Sequence, residues 1–200
     1  MTPHRAFQAM CLIAALALSS AAIQAQAKNT DPHPINSQQQ KQTIQLKIAS
    51  PDSLMIQDWI AYQISITQIA QEHNQFKQEI LANEMNIQQT QQLILMKKML
   101  KQPLVARKQL QQLKLSHPYL KKLQQLHIDK LNIELALLKL DYGSEVFSKT
   151  DFAEISRLYP ELANDPDQLA QLQMMDHHNL DDLSDYTDSI NSAITQYMLQ

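Results

Sequence analysis

The sequence predicts an all-α chain: an elongated, antiparallel, coiled-coil-like bundle of long helices with a small helical appendage. Three observations carry this. The 200 residues include one Gly, Gly143, which leaves little material for hairpin turns or phosphate-cradling loops. Leu, Gln, Lys, Ala and Met dominate, with Gln at roughly 15% of residues 28–200, and all of these favour helices. From Trp59 onward, apolar residues recur at alternating three- and four-residue steps over about five heptads.

The first segment reads as a signal peptide over residues 1–27. Arg5 supplies positive charge, and Ala9 to Leu18 form an apolar stretch too short to span a bilayer. Ala25-Gln26-Ala27 fits the small-x-small cleavage pattern, with Ile23-Gln24-Ala25 as a second cut. Met10 precedes Cys11 and the apolar stretch follows it, the reverse of a lipoprotein signal, so no lipid anchor is expected. Cleavage removes the one Cys, and the mature chain is expected in the periplasm or outside the cell, held by its core alone. Residues 28–50 read as a disordered tail, because Pro32, Pro34 and the Gln run 38–40 build no core. Ile44, Leu46 and Ile48 alternate with polar residues as a short strand would.

The long-helix bundle is expected over residues 51–142. Ser50 as N-cap, Pro51 at the first helical position and Asp52 near the positive dipole end form a helix start. The seam then runs Trp59, Tyr62, Ile66, Ile69, His73, Phe76, Ile80, Asn83, Ile87, Thr90, Ile94. His73, Asn83 and Thr90 read as polar residues that fix one alignment of the seam. Pro103 breaks or kinks this helix, and a second segment follows over residues 104–115. A third starts at Pro118 after His117, carries Leu120, Leu123, Leu126, Leu131, Leu135 and Leu138, and ends at Gly143. Residues 143–200 form the acidic appendage and last helix. Asp151 to Glu154 resembles a capping box, Asp165-Pro166-Asp167-Gln168 starts the last helix, and Leu183, Tyr186, Ile190, Ala193 and Tyr197 give its apolar stripe.

Charge is segregated. Lys97 to Lys139 hold ten basic residues against Asp129 and Glu134, whereas Leu140 to the end hold twelve acids against Lys149 and Arg157. The acidic last helix is expected to fold back on the basic one. The alternative is a basic interaction stripe, Lys97, Lys98, Lys101, Arg107, Lys108, Lys114, Lys121 and Lys122, facing an anionic surface. Nucleic acid is not expected there, because the stripe lacks interleaved aromatics for base stacking.

No nucleophile motif, H-E-x-x-H or Gly-rich loop occurs, so no enzyme activity and no cofactor are expected. One cluster invites a metal. In "QMMDHHNLDDLSD", His177 and Asp181, and His178 and Asp182, stand four apart, with Met174 and Met175 beside them; imidazole and carboxylate suit zinc, nickel or copper(II). Asn179 competes as the N-cap of a new helix, which would leave both His in a loop and use the two Asp at the dipole end.

The span KLDYGSEVFSKTDFAEISRLYPEL, where a long helix ends, a Phe-containing turn follows and a Tyr-Pro closes it, is similar to part of the minor-pilus (pilus-tip) subunits of type IV secretion and conjugation systems. There Gln-rich helices give way to an appendage. The resemblance covers about half the chain and implies a non-enzymatic assembly or adhesion component; it carries no functional residues across. Expected partners are other proteins, either secretion-apparatus subunits or unfolded clients of a periplasmic chaperone, with self-association as a further option.

Overall fold

A computed structural model of the chain describes residues 51–83 (of 80–83 the backbone only), 94, 97, 98, 100–143, 147–163 and 165–199. By its internal contacts the chain divides into Met1–Thr43 and Ile44–Gln200. The described residues all belong to the second unit. The expected signal peptide, the tail 28–50 and the seam positions Ile87 and Thr90 lie outside them. Every regular element among the described residues is helical: α1 (Ser53–Asn83), α2 (Gln102–Gln112), α3 (Pro118–Tyr142), α4 (Lys149–Ile155), a short 3-10 turn (Pro160–Leu162) and α5 (Gln168–Met198).

The helix ends follow from local chemistry, with three shifts from expectation. Asp52 caps α1, since its Oδ1 accepts the Met55 N–H at 2.7 Å, so Pro51 precedes the helix rather than taking its first position; Ser50 lies outside the described residues. Ser148, not Asp151, caps α4: its Oγ accepts the Asp151 N–H at 3.1 Å and donates to Asp151 Oδ2 at 2.7 Å. The side chain of Glu154, freed from that box, turns to Arg107 instead. The second segment ends early. α2 stops at Gln112 and Leu113 is extended, because Gln124 Nε2 of α3 donates to the carbonyls of Leu110 and Leu113 at 2.5 and 2.7 Å. The Leu110 carbonyl also accepts the Leu113 N–H at 3.1 Å, and the Leu113 carbonyl, beyond the helix, takes its partner from Gln124. Gly143 ends α3 at φ +54°, a backbone region that L side chains disfavour. Its N–H donates to the Lys139 carbonyl.

α3 lies at the centre. Leu120, Leu123, Leu126, Ile128, Leu131, Ile133, Leu135, Ala136 and Leu138 are all buried, which takes up more than one face and requires neighbours on several sides. Over its first half, Met55, Trp59 and Tyr62 of α1, Ala106 and Leu110 of α2, and Tyr186, Ile190 and Ile194 of α5 share one cluster with it. Over its second half, Ile133 and Ala136 pack with Leu162 and with Leu172 of α5. Trp59 and Tyr62 stack at 5.9 Å between ring centroids. Ile194 takes the last inward position of α5, while Tyr197 is exposed.

Polar contacts pin the helices to α3. Asp58 of α1 accepts the backbone N–H groups of Ser116 and His117 at 2.6 Å each. Arg107 of α2, 3% exposed, pairs with Glu154 and donates to Asn132 Oδ1 at 3.2 Å. Lys130 of α3 meets Asp176 of α5 at 2.8 Å. The Tyr62 hydroxyl and His127 Nδ1 share a hydrogen bond of 3.0 Å.

The last pair makes stability depend on pH. Burial, with Lys130 adding to it, lowers the His127 imidazole from 6.5 to about 4. The unfolded chain therefore takes up this proton first. Stability from the neutral imidazole is complete above pH 6.5 and is lost as pH falls toward 4. Urea unfolding is expected to show a loss on the order of 3 kcal/mol over that window, and His127→Gln should flatten it. Burial raises the Glu134 carboxyl, whose effect has the opposite sign, so the reading is the difference between wild type and variant. Parallel pH profiles for the two chains would contradict it.

Candidate interaction surface

α5 runs unbroken through Asn179, which corrects the expected N-cap. Leu172 and Tyr186 are buried on either side of it, so packing keeps one helical face inward and overrides the local capping preference. Asn179 Nδ2 instead donates to the Leu126 carbonyl at 3.2 Å. The four-residue spacing is thereby restored on a helix. His177 Nε2 and Asp181 Oδ2 stand 3.9 Å apart on an exposed face, and His178 and Asp182 are exposed nearby. Among the described residues, no group of three or more His, Cys, Asp or Glu is placed to hold a metal ion.

One member of the expected basic stripe lies inside the fold. Arg107 is buried and paired, which removes the centre of the series. Lys108 stands 4.0 Å from Glu154. Lys97 and Lys101 are half-buried, while Lys98, Lys114, Lys121 and Lys122 are exposed on three different segments. For Arg107 the charge count along the chain misleads, because the carboxylate of Glu154 arrives from 47 residues away. Leu172, Tyr186, Ile190 and Ile194 are the buried residues of α5, and Lys130–Asp176 is an ion pair joining it to α3.

A different surface is legible on α1. Its inward seam begins with Met55, Trp59 and Tyr62, all buried, and continues through Ile66, Ile69, His73 and Phe76, all half-buried. Beside the far end, Gln109 Nε2 donates to Glu72 at 3.4 Å. Burial lowers the His73 imidazole, with Lys77 adding to it.

The opposite face repeats the same spacing. Ser53, Gln57, Ile60, Ile64, Thr67, Gln71, Asn74 and Gln78 follow one another at alternating steps of four and three, and all eight are exposed. None is charged. Asp58, Glu72, Lys77 and Glu79, the charged residues of α1, lie off this line. Ile60 and Ile64 are 52% and 56% exposed and sit four apart, so they form one apolar ridge. Beyond them a shallow depression is lined by Gln71, Asn74, Gln75 and Gln78. Solvent-facing helical surfaces are ordinarily charged or polar, and here two isoleucines stand exposed among uncharged polar side chains. This one offers amides and hydroxyls that both donate and accept, around an aliphatic centre. Chemically it can pack against another helix and exchange neutral hydrogen bonds along it.

Sequence reasoning passed over this face because the larger residues of Trp59 to Ile94 dominate the heptad signal. The second register was present as an uncharged series with the same spacing. No known protein-family model matches the chain, and no curated protein or solved structure does.

Proposed function

We propose that the chain is a non-enzymatic helical interaction protein that works by presenting the outward face of α1 to another helix. The observation that carries this reading is the set of eight exposed, uncharged, heptad-spaced positions centred on Ile60 and Ile64. The inner face of the same helix supports it, since Trp59 and Tyr62 anchor α1 to the core and hold the outer face rigid. Rigid presentation lowers the entropy cost of binding.

In this reading α5 runs antiparallel to α3, supported by contacts in opposite chain order: Leu126 meets Asn179 and Lys130 meets Asp176. The chain acts in the periplasm or beyond it, after loss of residues 1–27, as an assembly component of the kind found at conjugative pilus tips. Its similarity to pilus-tip subunits across residues 139–162 and its Gln-rich helices support that placement. The test is in-cell photo-crosslinking from Gln71, on the face, and from Lys121, exposed on α3. Gln71 is expected to yield discrete protein adducts that Lys121 does not, and Ile60→Glu with Ile64→Glu should abolish them. Adducts of equal yield from both sites would contradict the reading.

A further inference from the structure

Resting on that reading, we infer that the occupant of the α1 face is a second copy of this chain, docked through its own α1 face. Charge is the first argument. A line of eight positions with no ionisable group, around Ile60 and Ile64, meets its own copy without repulsion there. A charged partner would lose hydration there and find no counter-charge. Hydrogen bonding is the second. Gln71 and Asn74 each carry a donor and an acceptor, so an identical face supplies what each needs. Shape is the third. Ile60 and Ile64 put one aliphatic layer at the centre, flanked by Ala61, Gln63 and Gln68, which add no charge; Lys77, half-buried, is the charged flank at the far end.

The face spans residues 53–78, about 38 Å at the helical rise. At the usual helix spacing, two such faces bury roughly 800 Å² in total, below the range of permanent interfaces. The pair is therefore weak and concentration-dependent, and polar core residues set its alignment at a cost in stability. Such a contact suits copies that a larger assembly already holds close together.

The experiment uses the purified full chain carrying Cys11→Ser, with one new thiol at Ile64→Cys or, as the control, at Lys121→Cys. Intermolecular disulfide formation is timed at matched protein concentration, and each rate is divided by that thiol's reactivity toward a small disulfide. Ile64→Cys should form the dimer on the order of tenfold faster than the control, because a docked pair raises the effective thiol concentration. Adding Ile60→Glu should return it to the control rate. Equal normalised rates overturn self-pairing. If Gln71 then still gives photo-adducts with a different protein, the α1 face stands as an interaction surface and only its occupant is wrong. If Gln71 gives none, both fall.

Discussion

Replacing Asp58 by Ala is expected to lower the folding free energy by about 3 kcal/mol, a large share of the ~5–15 kcal/mol that holds a domain folded. Asp58 is 7% exposed, and its carboxylate accepts two backbone N–H groups at 2.6 Å. Those groups belong to Ser116 and His117, directly before α3. Pro118 has no N–H, and His117 makes no side-chain cap. The negative charge also sits at the positive end of the α3 dipole. One side chain of α1 therefore does the capping for the central helix and joins the two. Asp58→Asn keeps an acceptor but loses the charge, so its cost should be about half. In thermal unfolding the Ala variant should melt roughly 6–12 °C lower. A loss under about 1 kcal/mol would mean that water replaces the carboxylate.

Ile190→Ala should cost a similar amount, about 3 kcal/mol, with the cavity it leaves adding to the lost transfer energy. Ile190 is fully enclosed, 0% exposed, between α5 and α3. The variant separates two accounts of why the acidic end of the chain lies on the basic middle. If burial holds α5, Ile190→Ala is severe, and raising salt to about 1 M leaves stability nearly unchanged, since screening acts on exposed charges. If charge attraction holds it, salt is severe and Ile190→Ala mild. Urea titrations of both proteins at low and high salt decide this. The structure favours burial, because Leu172, Tyr186, Ile190 and Ile194 of α5 are all enclosed, two of them completely.

The helical class was legible because it depends on composition and on spacing within short windows. Pro103, Pro118 and Gly143 each stand at or beside a helix end, since their backbone limits act locally. The errors occur where a distant partner outweighs the local signal. Asn179 has the chemistry of a cap, yet burial of Leu172 and Tyr186 carries the helix through it. Arg107 belongs by its position in the chain to a basic series, yet Asn132 and Glu154 draw it inside. Gln124 ends α2 from another helix, and nothing in residues 102–115 records that. The α1 face was overlooked for a different reason. Its residues are small or neutral, and a reading that weighs apolar bulk passes over a register marked by the absence of charge.

The most direct test of the outward α1 face combines binding and stability in one pair of substitutions, Ile60→Glu with Ile64→Glu. Both residues are more than half exposed, so the folding free energy should stay within about 1 kcal/mol of wild type, while photo-adducts from Gln71 disappear. A loss of several kcal/mol would show that this face is packed within the chain itself. Adducts that persist at wild-type yield would show that the face is not where the protein meets its partner.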